Sequence, residues 1–409
     1  MKAGILTIGD EIVAGFSVDT NSVWLAQELL RKGIVVATKA SVGDDLEAIE
    51  EMLARWDRQL ELVIATGGLG PTHDDVTKTA FCRYFNSDLQ FDEEYWEVLV
   101  KRFQKRGYEI PASNRSQAEI PVKAETLPNP VGTAPGLKFQ SGTTTFFVLP
   151  GVPTEMKAIM TDHLLPTLDD GEVVSWVTIR TTGIFESALA ARLEPLVSSF
   201  KDVQVAYLPA YTGVDIRLRS ATTGDKGRKM IESAAGKIET LVGDLTYGRN
   251  DVTLEEVVGR LLTEQQETLA LAESCSGGLT ASRVTDVPGS SAYMLGAVVA
   301  YGNAAKVGQL GVKPETLQAH GAVSEAAARE MAEGVKSVFG AHWGVATTGI
   351  SGPSGGTPEK PVGLVYLAVA GPQRTVVKEA RLVPHRLPHK AATAQAALNL
   401  LRLEIMHHA

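Results

Sequence analysis

Residues 66–75 (TGGLGPTHDD) combine glycines with two adjacent carboxylates directly after an apolar stretch. Glycine lets a ligand approach the backbone closely, and the start of a following helix offers free N–H groups to an anion. Carboxylates beside a phosphate site make chemical sense when a divalent metal ion bridges the negative charges. The stretch therefore predicts a phosphate-binding loop with Asp74 and Asp75 as metal ligands. The alternative is that both carboxylates only cap a helix that begins near Val76.

A second stretch, residues 272–278 (AESCSGG), lies where a predicted strand gives way to a predicted helix. A hydroxyl at that position is held beside helix N–H donors, which suits either a nucleophile or an anion ligand. Residues 301–306 (YGNAAK) and 347–356 (TTGISGPSGG) add a lysine and a second glycine-rich loop. Each has an alternative interpretation: Ser274 caps the next helix, Lys306 is a surface charge, and the glycine-rich loop is only a connection.

Alternating strands and helices are needed to position the first stretch. Apolar patterning predicts strands over residues 2–8, 34–40 and 60–65 and helices over 20–31 and 45–56. This order is typical of a parallel sheet covered by helices, and ligands of such sheets bind beyond the carboxyl ends of the strands. The patterning also predicts helices over 76–84, 92–105 and 154–168, a hairpin around Gly142, and a domain boundary at Asp169-Asp170-Gly171.

The rest of the chain divides into a small α+β module and a second α/β domain. The module has a β-α-β-β-α pattern and is followed by a linker at residues 247–251. We therefore predict three domains, over residues 1–170, 171–249 and 250–409. In the last domain, strands are predicted over 269–271, 292–300, 345–348, 363–370 and 375–382, and helices over 254–264, 279–287, 325–339 and 390–405.

The composition is that of an ordinary globular protein. At about 100–200 residues per domain, 409 residues correspond to two to four domains. The formal charge of −9, from 39 basic and 48 acidic residues, argues against a general binder of nucleic acids or anionic membranes. Two cysteines cannot form a disulfide framework, and no apolar run approaches the roughly 20 residues of a membrane span. We therefore expect a soluble cytoplasmic protein.

Four blocks occur in order in the N-terminal part: GDE at 9–11 with DTN at 19–21, the stretch 66–78, PNPVGTAPG at 128–136 and LPGVPTEM at 149–156. Together they resemble the molybdopterin-binding-like domain of the CinA (competence/damage-inducible protein A) family. The resemblance implies metal-dependent hydrolysis of ADP-ribose to AMP and ribose 5-phosphate. It also implies a divalent metal ion on Asp74 and Asp75 and a nucleotide pocket formed by Asn21, Gly67, Gly68, Thr72, Lys78, Asn129, Gly132 and Thr133.

The segments ESCSGG, YGNAAK and GISGPSGG, with EKPVG at 359–363, resemble blocks of the CinA C-terminal domain. This domain also occurs alone as the PncC-type nicotinamide mononucleotide deamidase. The resemblance implies hydrolysis of nicotinamide mononucleotide to nicotinic acid mononucleotide and ammonia, without a cofactor. Ser274 falls on the position of the nucleophile, and Tyr301 and Lys306 on those of its hydroxyl and base partners. Substrate contacts are expected from Ser276, Gly277, Gly278, Asn303, Thr348, Gly352, Gly355 and Arg386.

A serine–lysine pair suits amide cleavage, because a lysine whose pKa is lowered by burial can take the serine proton without a histidine. The 5′-phosphate is expected either at the C-terminal glycine-rich loop or at the helix start after the AESCSGG stretch. Cys275 is expected in the core, because neighbouring side chains at an extended strand end point to opposite faces. Gly302 and Ala304 stand where the family usually has serine and glutamate, and loss of that carboxylate could change how Lys306 is held.

Other classes of function are compatible with the sequence. One is a protein that binds a partner in competence or DNA damage, with its pockets acting as nucleotide sensors. Another, molybdopterin or molybdate handling, follows from the fold relatives of the first domain alone. The acidic charge argues against DNA binding. We also expect no KH-type RNA reader in the middle module, because we recognise no GxxG clamp between basic helices there. A homo-oligomer, most simply a dimer, is expected because symmetric assemblies are common among cytosolic enzymes.

Overall fold

The computed structural model describes residues 1–168 and 174–408. The chain divides into two compact units, Met1–Val174 and Ser175–Ala409. The predicted boundary turn Asp169-Asp170-Gly171 lies outside the described residues. Within the described ranges, no helix is both long enough and apolar enough to cross a membrane. Each unit combines helices with β-sheets that contain parallel strands, so the predicted α/β fold class is confirmed.

The first unit contains a six-stranded sheet and a separate two-stranded sheet. Its strands are β1 (Lys2–Ile8), β2 (Val35–Val42), β3 (Leu62–Thr66), β4 (Leu89–Phe91), β5 (Glu119–Pro121), β6 (Glu125–Leu127), β7 (Gly136–Ser141) and β8 (Thr144–Leu149). Its α-helices are α1 (Asp10–Val13), α2 (Thr20–Arg31), α3 (Leu46–Trp56), α4 (Thr77–Phe85), α5 (Glu93–Lys105) and α6 (Pro153–Ile159). A 3₁₀ helix covers Ala112–Ala118.

Four strands of the large sheet run parallel in the order β2-β1-β3-β8, and β7 and β6 continue it antiparallel. β3 is buried at every position, as expected for a parallel strand covered on both faces. Asp19 and Asp45 are the N-cap residues of α2 and α3, and their carboxylates accept the backbone N–H groups of Ser22 and Ala48. The pairing of β7 with β8 confirms the predicted hairpin around Gly142. The carboxyl ends of β1, β2, β3 and β8 therefore lie at one edge of the sheet.

The last helix of this unit is shorter than predicted. One helix is predicted over residues 154–168, whereas α6 is followed by a π-helical turn at Met160–Leu164 and a 3₁₀ turn at Leu165–Thr167. Pro166 explains the change, because it lacks an N–H group and its ring clashes with the carbonyl group four residues earlier in an α-helix.

The second unit begins with a small α+β module. Its elements are β9 (Val174–Thr181), α7 (Glu186–Val197), β10 (Val203–Ala210), β11 (Gly213–Thr223), α8 (Gly224–Val242) and β12 (Thr246–Arg249). The strands form one sheet in the order β10-β11-β9-β12, in which β10–β11 and β9–β12 are antiparallel. The predicted β-α-β-β-α pattern is present, but part of the predicted linker forms β12. A strand this short, with Gly248 inside it, shows no sequence pattern and forms because it pairs with β9.

The remainder of the second unit is a five-stranded sheet with helices. Its strands are β13 (Leu269–Glu273), β14 (Met294–Val299), β15 (Trp343–Gly349), β16 (Leu364–Ala370) and β17 (Thr375–Arg381). Its α-helices are α9 (Leu254–Gln265), α10 (Leu279–Thr285), α11 (Asn303–Leu310), α12 (Pro314–His320), α13 (Glu325–Phe339) and α14 (Arg386–His408). Of these, α11 and α12 are not predicted from the sequence, because eight and seven residues are too few for a clear helical period.

The sheet order is β14-β13-β15-β16-β17. β14, β13 and β15 run parallel, and β16 and β17 continue antiparallel. Three carboxyl strand ends therefore meet at one edge, where ligands of α/β sheets bind. α14 reaches this region because it begins at Arg386 rather than at the predicted residue 390. Pro388 does not prevent this, because the N–H groups of a first helical turn have no intrahelical partner.

The helices α11 and α13 pack so closely that only glycine fits at one point. A Cβ atom on Gly334 of α13 would lie 1.9 Å from the carbonyl oxygen of Leu310. Gly308 of α11 is exposed, and a Cβ atom there would meet nothing within 4 Å. Close packing therefore requires glycine at position 334, whereas the surroundings of position 308 leave room for a side chain.

We predict that Gly334→Ala lowers the free energy of unfolding by about 1–3 kcal/mol, because one helix must move away from the other. Gly308→Ala is the matched control and raises it by about 0.5–1 kcal/mol, because alanine has the higher helix propensity. Scanning calorimetry of the full chain measures both. Equal shifts in the same direction for the two variants would contradict the close approach of the helices.

Candidate functional site

Three segments that carry candidate chemistry leave the parallel strands of the C-terminal sheet at one edge. Ser274 follows β13, Tyr301 lies shortly after β14, and the glycine-rich loop of residues 350–363 follows β15. Because β13 lies between β14 and β15, Ser274 is at the middle of this edge. Its backbone N–H donates to the carbonyl oxygen of Thr347 at 3.0 Å, which attaches the segment to the neighbouring strand.

The Lys306 side chain connects two of these segments. Its Nζ lies 3.1 Å from Ser274 Oγ and donates to the carbonyl oxygens of Ala300 at 2.7 Å and Tyr301 at 3.1 Å. Lys306 is in the first turn of α11 and is only 1% exposed. Burial lowers the pKa of Lys306 from its usual value, because desolvation disfavours the charged form. An amine that becomes neutral at this distance can accept the hydroxyl proton of Ser274.

Lys306 does not depend on a carboxylate for its position. Among the described residues, its hydrogen-bond partners are one hydroxyl group and two backbone carbonyl oxygens. Ala304, where the family usually carries glutamate, is exposed, whereas Lys306 is buried. The departure from the family pattern at residue 304 therefore removes none of the contacts that hold the amine.

The two residues after Ser274 have different surroundings. Cys275 belongs to the apolar core of this domain, as predicted, and burial raises the pKa of its thiol to about 12. A thiol with this pKa stays protonated at neutral pH and is a poor nucleophile. Ser276 is also buried, and its Oγ lies 2.6 Å from Thr347 Oγ1. Ser274 is therefore the one hydroxyl of the stretch that is hydrogen-bonded to an amine.

The buried carboxylate of Glu273 occupies the start of α10. It accepts the backbone N–H groups of Gly278 at 3.0 Å, Thr280 at 3.1 Å and Ala281 at 2.7 Å. The two other N–H groups of residues 277–281 donate to carbonyl oxygens of the preceding turn. All five N–H groups are thus already bonded. A phosphate at this helix start, which is one of the two positions expected from the sequence, needs a different donor.

Arg386, the first residue of α14, joins the other two segments. Its Nη1 donates to the carbonyl oxygen of Gly352 and its Nη2 to the hydroxyl oxygen of Tyr301, both at 3.0 Å. Tyr301 is 62% exposed, so this contact borders the solvent. The predicted residues Ser274, Lys306, Tyr301, Gly352 and Arg386 therefore form one connected set of hydrogen bonds.

The other predicted substrate residues lie near this set. Asn303 is the exposed first residue of α11, and Gly355 is exposed in the glycine-rich loop. Thr348 is buried, and its hydroxyl donates to the carbonyl oxygen of Ala322 at 2.7 Å. No hydrogen bond within the described ranges links these three residues to Ser274 or Lys306.

His389 and Lys390, which are not among the predicted site residues, lie one turn into α14. His389 is fully buried, with Nε2 3.3 Å from the Gly363 carbonyl oxygen and Nδ1 2.9 Å from Ser351 Oγ. A carbonyl can only accept, so Nε2 carries the proton and Nδ1 accepts from the Ser351 hydroxyl. Burial lowers the pKa of His389, which keeps the ring neutral. The available signal is the spacing of three and four residues from Arg386, which places all three on one helix face.

The first unit has a cleft of about 390 Å³ at the carboxyl edge of its parallel strands. Glycines and carboxylates from several loops form its wall, including Glu11, Asp19 and Asp44. The residues of the predicted nucleotide and metal sites that line the cleft are Asn21, Gly67, Gly68, Asp74 and Asp75.

Asn21, one of the residues that line this cleft, has an unpaired acceptor. Asn21 is 7% exposed, and its Nδ2 donates to Thr66 Oγ1 at 3.1 Å and to the Gly151 carbonyl oxygen at 2.7 Å. Its Oδ1 is buried and has no hydrogen-bond partner within the described part of the chain. Gly67 has φ of +116°, and a Cβ atom there would lie 2.0 Å from the carbonyl oxygen of Ile8. Only glycine therefore allows the loops after β1 and β3 to approach each other beside Asn21.

The two adjacent aspartates are not equivalent. Asp75 accepts the backbone N–H groups of Gly70 at 2.7 Å and Thr72 at 2.8 Å and also bonds to the Thr72 hydroxyl. Asp74 has a side chain that is 66% exposed. In residues 1–168 and 174–408, no group of three or more His, Cys, Asp or Glu side chains is arranged to hold a metal ion. The two predicted ligands therefore do not fit a metal site built by side chains of this chain, because Asp75 is already engaged.

Other predicted nucleotide-binding residues make contacts within the unit. Lys78 is largely buried, which lowers its pKa, and its Nζ donates to the carbonyl oxygens of Ser116 and Glu119. Asn129 is fully buried, and its Oδ1 accepts the backbone N–H of Gly132 at 2.8 Å. These residues, together with Thr72 and Thr133, are not among the described residues that line the cleft.

Three family models match successive parts of the chain. "Probable molybdopterin binding domain" matches residues 4–170, "Damage-inducible protein CinA KH domain" matches residues 177–248, and "CinA C-terminal domain" matches residues 251–405. The matched regions cover both candidate sites and the small α+β module between them. The match to a KH domain corrects the expectation that this module is not of the KH type. The module does contain a GxxG segment, residues 224–227 (GDKG), but this segment follows a strand, β11, and opens α8 rather than lying between two basic helices.

Relatives that align with this chain over nearly their whole length are also named after CinA. A CinA-like protein of Salinibacter ruber is 42% identical over 407 residues, which cover 98% of this chain and 99% of that protein. A CinA-like protein of Desulforapulum autotrophicum is 38% identical over 417 residues, with 99% of each chain covered. A solved structure of a competence/damage inducible protein of Agrobacterium tumefaciens is 40% identical, with a TM-score of 0.36, and covers 37% of this chain and 95% of its own. The resemblance found in the sequence is thus confirmed, and the chain belongs to the CinA family.

Proposed function

We propose that the C-terminal domain hydrolyses nicotinamide mononucleotide to nicotinic acid mononucleotide and ammonia. The observation that carries this proposal is the buried Lys306 amine, 3.1 Å from Ser274 Oγ and without a carboxylate partner among the described residues. A lysine of lowered pKa beside a serine hydroxyl is a nucleophile–base pair for acyl transfer. The family resemblance supplies the substrate class.

The neutral Lys306 amine takes the proton of Ser274, and the serine oxygen attacks the carboxamide carbon of the substrate. When the carbon–nitrogen bond breaks, the Lys306 ammonium returns that proton to the leaving nitrogen, and ammonia departs. Lys306 then takes a proton from water, whose oxygen attacks the acyl group. The same proton passes to Ser274 Oγ as the ester bond breaks, which restores the pair and releases the carboxylic acid. The acid then loses the second proton of the water to solvent and becomes the carboxylate product. Arg386 holds Tyr301 and the Gly352 loop around this reaction.

We predict that Ser274→Ala and Lys306→Met each reduce ammonia release from nicotinamide mononucleotide by about 10²–10⁴-fold, because each removes one half of the pair. Cys275→Ala is the matched control and retains most of the activity, because the thiol is buried and protonated. The same assay, run on purified full-length protein, covers all three variants. A fully active Ser274→Ala enzyme would end the serine mechanism.

The rate also depends on the protonation of Lys306. Its pKa is lowered in the folded protein, and below that pKa the protonated ammonium cannot accept a proton. We therefore predict that kcat/KM for nicotinamide mononucleotide rises with pH through the Lys306 pKa, at a pH below the usual lysine value of 10.5, and then levels. A pH profile of initial rates measures this. A rate that falls over the same interval would contradict the role of Lys306 as the base.

We propose for the N-terminal domain a second activity, the hydrolysis of ADP-ribose to AMP and ribose 5-phosphate. The observation in its favour is the unpaired Oδ1 of Asn21 in the cleft, because a buried acceptor without a partner suits a hydroxyl or amino donor of a nucleotide. The described side chains do not present a metal site. Metal dependence is thus a proposal from the family resemblance alone, and no step is derived through a metal.

We predict different effects for the two aspartates of the cleft. Asp74→Asn lowers AMP release from ADP-ribose by about tenfold or more and leaves the melting temperature nearly unchanged, because its side chain is 66% exposed and faces the cleft. Asp75→Asn lowers the free energy of unfolding by about 1–3 kcal/mol, because it loses hydrogen bonds to Gly70 and Thr72.

AMP formation and thermal unfolding, each measured with and without added divalent metal and EDTA, test this pair. Equal turnover of ADP-ribose by wild type and Asp74→Asn would exclude a role of Asp74 in the reaction. Turnover unaffected by EDTA would exclude a requirement for a divalent metal ion. If wild-type protein releases neither ammonia nor AMP, the alternative of a nucleotide sensor or partner-binding protein is favoured. The cytoplasmic location and the homodimer are proposed on the sequence alone.

A further inference from the structure

We propose that Lys390 binds the 5′-phosphate of the substrate in the C-terminal site and thereby selects nucleotides over nucleosides. This inference rests on the proposed deamidase function, and it names the charge that recognises the substrate class.

Lys390 lies over the turn that carries the nucleophile. A Cβ atom on Gly277 would lie 3.3 Å from Lys390 Nζ and 3.6 Å from its Cε. The same turn is closed by the backbone N–H of Gly277, which donates to the carbonyl oxygen of Ser274 at 3.2 Å. The Lys390 ammonium is therefore close to the segment of Ser274, in a space left open by a residue without a side chain.

Lys390 is half-buried, and no carboxylate or other acceptor within residues 1–168 and 174–408 bonds to its ammonium group. Arg386, one helical turn earlier, bonds only to uncharged oxygens, those of Gly352 and Tyr301. Two cations four residues apart repel each other on a helix face, and an anion between them removes this repulsion. A phosphate monoester carries nearly two negative charges at neutral pH and accepts hydrogen bonds at three oxygens, so its charge matches the two cations.

The backbone near Gly277 cannot replace Lys390 as the phosphate donor. The N–H groups of residues 277–281 are bonded to Glu273 and to carbonyl oxygens of the preceding turn. Glu273 also places a negative charge at the start of α10, which disfavours a phosphate bound by that helix end alone. A phosphate at this position therefore depends on a side-chain cation, and lysine serves as a point charge for phosphate.

The test compares ammonia release from nicotinamide mononucleotide and from nicotinamide riboside, which lacks the phosphate. We expect Lys390→Met to raise KM for the nucleotide by about 10- to 100-fold with little change in kcat, and to leave the kinetics of the riboside unchanged. Lys390→Arg keeps the cation and restores most of the nucleotide affinity. Lys313→Met removes an exposed lysine of the same domain and controls for the change in net charge.

Equal losses on both substrates would overturn the inference, because Lys390 would then act on the fold or on the reacting amide. An unchanged KM for the nucleotide would overturn it as well. If wild-type protein deamidates neither substrate, the proposed function fails, and calorimetric binding of ribose 5-phosphate decides the inference separately. Weaker binding to Lys390→Met than to Lys313→Met supports the phosphate site, whereas equal binding, or none to wild type, excludes it.

Discussion

The buried amine of Lys306 is the constraint on which the C-terminal site depends. An ammonium group removed from water costs several kcal/mol unless it is well paired, and here its acceptors are one hydroxyl and two carbonyl oxygens. The carbonyl oxygens belong to Ala300 and Tyr301, directly after β14. They meet Ser274 because β14 and β13 are parallel neighbours. The neutral surroundings hold the amine in place and also lower its pKa, so one arrangement provides both position and reactivity.

The N-terminal unit uses the same sheet geometry with a different chemistry. Parallel strands again bring several loops to one edge, and Gly67 allows two of them to approach more closely than a side chain would permit. The polar groups there are carboxylates and one unpaired amide oxygen, that of Asn21, rather than a buried amine. Desolvation by burial raises the pKa of Asp19, but hydrogen bonds from Ser22 and Thr7 outweigh it, so the pKa of this carboxyl lies below its usual value. This edge therefore suits a ligand that brings hydrogen-bond donors.

Local sequence patterns predict the range of an element correctly where its own residues show the apolar periodicity and the residue that ends or caps it. The predicted ranges of β1, α2 and α13 agree with the structure residue for residue. The patterns were insufficient where another element decides the outcome: β12 exists through its pairing with β9, and α14 begins early although Pro388 lies in its first turn. The same distinction applies to the contacts of the candidate site residues. The contact of Lys306 with Ser274 agrees with the family pattern, whereas the engagement of Asp75 by Gly70 and Thr72 depends on the shape of a loop that spacing alone does not define.

The first turns of α14 carry one neutral and two charged polar side chains with different contacts. His389 is buried and neutral, and it holds the glycine-rich loop through Ser351 and Gly363 without placing a charge in the core. A charged residue at that position would require a counter-ion beside the nucleophile. The neutral ring makes this unnecessary, so the positive charges of Arg386 and Lys390, on the same face, have no carboxylate partner among the described residues. The uncharged histidine thus holds the loop without adding a third positive charge to those of Arg386 and Lys390.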